Sequence, residues 1–192
     1  MCTEIEAKLK VGSLEEVEHK LVELGAEFLA EQLQTDYHFD DVNATLTKND
    51  RCLRLRRQMV GKMESFFLTY KGAKEKSNLK KRQEIEFEIK DADSVCKLLS
   101  ALGYEQVSVV EKKRRIWQLG DCEVALDQLP LLGNFVEIEG PDEKKITTVQ
   151  KNLGLTDLPH IAKSYASLTK ERLQQLGKDD GAVFHESSEP RL

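Results

Sequence analysis

A chain of 192 residues, 40% hydrophobic and 33% charged, is long enough to bury a real core and has the composition of a soluble globular protein. The net charge of −5 argues against a general nucleic-acid binder, while leaving room for a local basic cluster. No segment approaches a membrane-spanning helix, and Glu4, Glu6 and Lys8 stand where a signal peptide needs an apolar run, so a cytoplasmic location without a membrane partner is expected.

In chain order, Glu4-Ile5-Glu6-Ala7-Lys8 comes first, alternating charge with hydrocarbon in the period of a β-strand. Ser13-Leu14-Glu15-Glu16 is a capping box, and Leu14, Val17, Leu21 and Leu24 form the stripe of a helix that stops at Gly25. Strands are predicted over 34–39, over 52–58, where Leu53-Arg54-Leu55-Arg56 alternates again, and over 65–71. The lysine-rich segment 71–81, with Gly72, Ser77 and Asn78, reads as a loop, either mobile near an anionic ligand or simply solvated. Glu84-Ile85-Glu86-Phe87-Glu88 repeats the first strand, and Val95, Leu98, Leu99 and Leu102 repeat its helix, ending at Gly103. Strands follow over 107–117, 123–129 and 135–139, then helical spacing over 142–153 and 160–176. These segments predict one domain over 1–176 built from two similar halves, with a disordered tail over 177–192. Cys2, Cys52, Cys96 and Cys122 are too scattered for a zinc site and read as thiols.

The charged rows share one face. Glu4, Glu6 and Lys8 are followed in phase by Arg54 and Arg56, Thr69 and Lys71, Arg82, Glu84 and Glu86, Lys112 and Arg114, Asp127, and Glu137 and Glu139. An ordinary antiparallel sheet with a charged solvent face is the simpler alternative, but such faces mix Ser, Thr, Gln and Lys, whereas here carboxylates and cations fall on separate strands. A sheet curled with this face inward encloses a wet, charged lumen beneath a coat of helices. An outer-membrane barrel shares that inside-out pattern, but its lack of covering helices and need for an export signal fit this chain poorly. Paired glutamates two residues apart suit a hard divalent cation, and the opposing Lys and Arg suit a polyphosphate. Trp117 lies in the opposite phase and is expected to pack under a helix; His38 is weighed as a structural histidine ahead of a nucleotide contact.

The first strand has the E-x-E-x-K form of the CYTH superfamily, the triphosphate tunnel metalloenzymes, and the whole ordered set of motifs resembles that family over most of residues 1–170. Gln34-Thr35-Asp36-Tyr37-His38-Phe39-Asp40 and Lys163-Ser164-Tyr165 most resemble the CyaB group of class IV adenylate cyclases. The resemblance implies an α+β fold, a closed eight-stranded antiparallel β-barrel with helices outside, using Mg²⁺ or Mn²⁺. It implies metal ligation by Glu4, Glu6, Glu137 and Glu139 with Asp127 assisting. The triphosphate would be held by Lys8, Arg54, Arg56, Lys71, Arg82, Lys112 and Arg114. Catalytic function falls to Glu4, Glu6 and Lys8, with Glu84 and Glu86 placing cations or water. The substrate is a small triphosphate: ATP cyclised to cyclic AMP and pyrophosphate, or, alternatively, inorganic or thiamine triphosphate hydrolysed. A non-catalytic polyphosphate-binding module is the remaining alternative, and either a monomer or a homodimer is compatible.

Overall fold

The computed structural model describes residues 2–177, so residues 178–192 of the predicted tail lie outside the described residues. The elements are β1 (Cys2–Val11), α1 (Leu14–Glu23), β2 (Glu27–Asp41), α2 (Thr45–Lys48), β3 (Cys52–Val60), β4 (Met63–Lys71), β5 (Lys80–Ile89), α3 (Ala92–Ala101), β6 (Tyr104–Leu119), β7 (Cys122–Leu129), β8 (Gly133–Glu139), α4 (Glu143–Asn152) and α5 (Tyr165–Gln175). All pairings are antiparallel, in the cyclic order β1-β5-β4-β3-β2-β6-β7-β8, and β1 closes the barrel by pairing with both β5 and β8. The expected closed eight-stranded architecture is what forms.

Period-two patterning explains the two surfaces of the wall. Outward from β1, β7 and β8 point Ala7, Leu9, Val124, Leu126, Val136 and Ile138, packed beneath Leu14, Val17 and Leu21 of α1 and Ile146 and Val149 of α4. Each fully buried Val, Leu or Ile among them contributes about 1.5–3 kcal/mol. On the far side, Ala92 and Leu99 of α3 cover Phe39 and Leu55. Trp117 packs in the first cluster, edge-on to Phe28 at 5.1 Å between ring centroids, as its phase requires. A third cluster, Val110, Leu129 and Phe135 with Tyr165, plugs one end of the barrel.

Helix starts follow their caps. Ser13, Asp91, Asp142 and Ser164 each accept a hydrogen bond from the backbone N–H three residues on, satisfying donors that a helix leaves unpaired. The last helix is shorter than its spacing predicts, beginning at Tyr165 after its cap Ser164 rather than at 160, and ahead of it the Ile161 N–H donates to the Lys8 carbonyl at 2.9 Å. The segment before α5 is thereby tied to β1. The turn α2 has no apolar period to announce it; it is held by buried Asp40, which accepts from the N–H groups of Leu46 and Thr47. Among the described residues, no helix is long and apolar enough to cross a membrane.

Candidate active site

The barrel encloses a cavity of about 790 Å³. All the predicted site residues line it except Asp127, which is wholly buried behind Arg114. Alternation delivers them: each strand's charged parity points inward, and register then decides the partners. Glu4 faces Arg82 and Glu6 faces Lys80 across the β1–β5 pairing, while Lys8 faces Glu137 across β1–β8. Asp36 faces Arg56 across β2–β3, and Arg114 faces Asp127 across β6–β7.

Three ionic groups result. Lys71 Nζ donates to Glu4 at 2.7 Å and lies 2.8 Å from Glu84, and Lys80 donates to Glu6. Asp36 accepts both Nε and an Nη of Arg56, at 2.7 and 3.0 Å, with Lys112 at 3.4 Å and Arg54 at 3.6 Å. Arg54 also donates to Thr69 and to Glu86, at 3.1 and 3.2 Å. In the third group Lys8 lies 3.1 Å from Glu137, and Arg114 donates to both Asp127 and Glu137. The Tyr165 hydroxyl donates to Asp127 at 2.9 Å, and the Lys8 ammonium stands 4.1 Å from the Tyr165 ring centroid.

Burial would raise the Asp36 carboxyl, but Arg56, Arg54 and Lys112 outweigh it and hold the group well below the usual range. Glu137 is likewise held low, its burial outweighed by Lys8 and Arg114. Glu139 behaves oppositely: burial and the neighbouring Glu4, Glu6 and Glu123 push it up to about 7. For Lys112, burial and Arg114 prevail over Asp36 and bring the ammonium down to about 7.

The sign of the Lys112 shift makes binding pH-dependent. Between about 7 and 10.5 the unfolded chain holds a proton here that the folded chain has lost, so this residue makes stability rise with pH through that window. A bound polyanion favours the ammonium and restores the proton. At pH 8, inorganic triphosphate is therefore expected to bind wild type with uptake of about one proton more than it does Lys112→Met, by calorimetry in buffers of different ionisation enthalpy. Equal uptake by the two proteins would place Lys112 outside the anion site.

The donor set fits a hard divalent cation in kind. Glu4, Glu6, Glu137 and Glu139 share one lumen, and the raised Glu139 is a sign of crowded carboxylates that such an ion relieves. Among the described residues no three metal-ligating side chains converge on one point. Glu4 and Glu6 are occupied by Lys71 and Lys80, ammoniums with which a metal would compete.

Several lumen residues lay outside the predicted set. Lys80 falls in the segment predicted as loop, yet it shares parity with Arg82, Glu84 and Glu86, and β1 extends the strand to include it. Glu123, opposite Glu139, shares parity with Asp127. Asp36 lies within the quoted Gln34–Asp40 motif, but no pattern within β2 marks it as the anchor of three cations.

The sequence matches the CYTH domain family over residues 3–165, and the chain belongs to that family. It is 31% identical over 162 residues to the putative adenylate cyclase MJ0240 of Methanocaldococcus jannaschii, covering 84% of this chain and 88% of the relative. It is 26% identical over 180 residues to adenylate cyclase CyaB of Aeromonas hydrophila, covering 88% and 90%. Among solved structures, PH1819 of Pyrococcus horikoshii OT3 superposes with a TM-score of 0.77 at 30% identity, over 88% of this chain and 99% of that one. The similarity thus extends over nearly the full length of each of these relatives, one of which is named CyaB.

Proposed function

We propose that the tunnel is the active site of a divalent-metal-dependent enzyme acting on a triphosphate, and that its reaction is cyclisation of ATP to cyclic AMP and pyrophosphate. The observation that carries the metal-dependent reading is the charge of the wall. Eleven Lys and Arg and nine Asp and Glu line the cavity, a surplus of only two positive charges. A triphosphate brings more negative charge than that surplus neutralises, and divalent cations make up the difference. A binding module for bare polyphosphate gains nothing from nine carboxylates. The choice of cyclisation rests on the names of the two relatives, one a putative adenylate cyclase and the other adenylate cyclase CyaB.

In this reading Glu4, Glu6, Glu137 and Glu139 hold Mg²⁺ or Mn²⁺, which when bound polarises phosphoryl oxygens. Lys8, Arg54, Lys71, Arg82, Lys112 and Arg114 grip the phosphates and keep them in line. Glu84 and Glu86 aim Lys71 and Arg54 at them. Arg56, whose fork is closed on Asp36, acts chiefly by fixing that carboxylate. The ribose 3′-hydroxyl attacks the α-phosphorus and loses its proton to water, the bond from that phosphorus to the bridging oxygen breaks, and pyrophosphate leaves with the electron pair. The alternative reading, hydrolysis by water, uses the same tunnel and differs in which oxygen attacks the triphosphate.

Incubation with ATP, inorganic triphosphate or thiamine triphosphate, each with Mg²⁺ or Mn²⁺, separates the readings. Cyclic AMP with stoichiometric pyrophosphate is the expected result; phosphate release selects the hydrolase. Binding without turnover of any of the three would overturn both.

A further inference from the structure

The seam that closes the barrel is shorter than the strands on either side of it. β1 pairs with β5 over residues 80–84, and among the described residues no strand continues that pairing along 85–89. On its other side the same stretch is paired with β4, Ile85 facing Tyr70 and Ile89 facing Phe66. The Gly72 N–H donates to the Gln83 carbonyl at 2.9 Å, so the backbone groups of Gln83, and with them those of Ile85, Phe87 and Ile89, turn toward β4. Those of Glu86 and Glu88 turn the other way, onto an open edge. Residues 85–88 are all exposed, Ile85 by 41% and Phe87 by 53%, because α3 packs over Phe39 and Leu55 and leaves this stretch uncovered. Glu86 and Glu88 project from one face of the strand, Ile85 and Phe87 from the other.

We propose that this edge is a docking site for an extended segment of another protein, which adds an antiparallel strand beside β5 and alternates lysine or arginine with apolar residues. Glu86 and Glu88 each offer the incoming strand one N–H and one C=O, and main-chain hydrogen bonds of this kind supply affinity while the side chains select the partner. Residues of the added strand opposite Glu86 and Glu88 point to the same face as these carboxylates, so cations there are stabilised and acids repelled. The residue between them stands opposite Phe87, where an apolar side chain buries both. The same two carboxylates disfavour a second copy of this chain. Antiparallel self-pairing centred on Phe87 would set Glu86 against Glu88 of the other copy, twice, and charges of this kind are a common guard against edge-to-edge association. Docking here requires no triphosphate in the tunnel and does not depend on which reaction occurs there.

The test uses the whole chain and two end-blocked peptides of about nine residues, one alternating lysine with valine and threonine, the other glutamate with the same residues. Binding is followed by fluorescence anisotropy and by residue-resolved amide exchange. In the free protein the Glu86 and Glu88 amides are expected to exchange at least about tenfold faster than those of Ile85 and Phe87, and saturating lysine peptide should slow them by about the same factor. Glu88→Pro removes one edge N–H without touching a bond to β4, and should weaken the lysine peptide about tenfold. Glu88→Gln keeps that N–H and should weaken it only about 2- to 5-fold. Equal affinities of the two variants would reduce the binding to charge alone and overturn the added strand. No binding of the lysine peptide, or equal binding of the glutamate peptide, overturns the site. Protection of the Glu86 and Glu88 amides that rises with protein concentration in the absence of peptide overturns it in favour of a second copy. The exchange measurements on wild type decide the matter even if Glu88→Pro does not fold.

Discussion

Substituting Glu6 by glutamine is expected to lower kcat on the triphosphate substrate by about two to three orders of magnitude while the barrel remains folded. Glu6 is only 4% exposed, Lys80 donates to it, and Lys8 lies 3.9 Å away. Glutamine preserves the volume and an oxygen for Lys80 to donate to, so the packing of the lumen survives. What disappears is one of the negative charges assigned to the metal, and the concentration of Mg²⁺ or Mn²⁺ giving half-maximal rate should rise with the loss of kcat. Arg56→Ala provides the contrast. It frees Asp36 from its bidentate partner and leaves a carboxylate where phosphate must approach, so KM should rise more than kcat falls. Steady-state kinetics across a metal titration distinguishes the two. Unchanged kcat and unchanged metal dependence in Glu6→Gln would remove Glu6 from the metal site.

The inward row was legible because alternation is a local property. Glu4, Arg54, Lys112 and Glu137 could be set on one face from parity alone, and the barrel followed from asking where so many segregated charges could be hidden. Strand lengths were less legible. Lys80 reads as loop because its segment is lysine-rich and carries Gly72, Ser77 and Asn78, and only pairing with Glu6 across β1 makes it strand. Asp36 was present in a recognised motif, yet its task depends on Arg54, Arg56 and Lys112 arriving from two other strands, which no spacing within β2 encodes. Tyr165 shows the same limit at longer range: its helix is distant in sequence from Asp127 and Lys8, and nothing periodic links them. The residues missed are those whose role is fixed by tertiary partners rather than by their own element.

Asp127 is the point where that long-range contact is most exposed to test. Asp127→Ala is expected to destabilise the protein by about 3–5 kcal/mol, lowering the thermal midpoint by roughly 6–20 °C. The side chain is fully buried, accepts both Nε and an Nη of Arg114, and accepts the Tyr165 hydroxyl. Its removal leaves a buried guanidinium with Glu137 as its remaining close carboxylate and a buried hydroxyl without that acceptor. Tyr165→Phe deletes only the hydroxyl, keeps the edge-on contact with Phe135 at 5.2 Å, and should cost only about 1 kcal/mol. The difference between the two variants isolates the Arg114 pair from the tether on α5. If Asp127 anchors both, amide exchange in 165–175 should accelerate in Asp127→Ala more than in Tyr165→Phe, because the third cluster that plugs the barrel loses its polar floor as well as its tie. A midpoint shift no larger than that of Tyr165→Phe would mean that Arg114 is carried by Glu137 alone, and that Asp127 serves only to hold the plug.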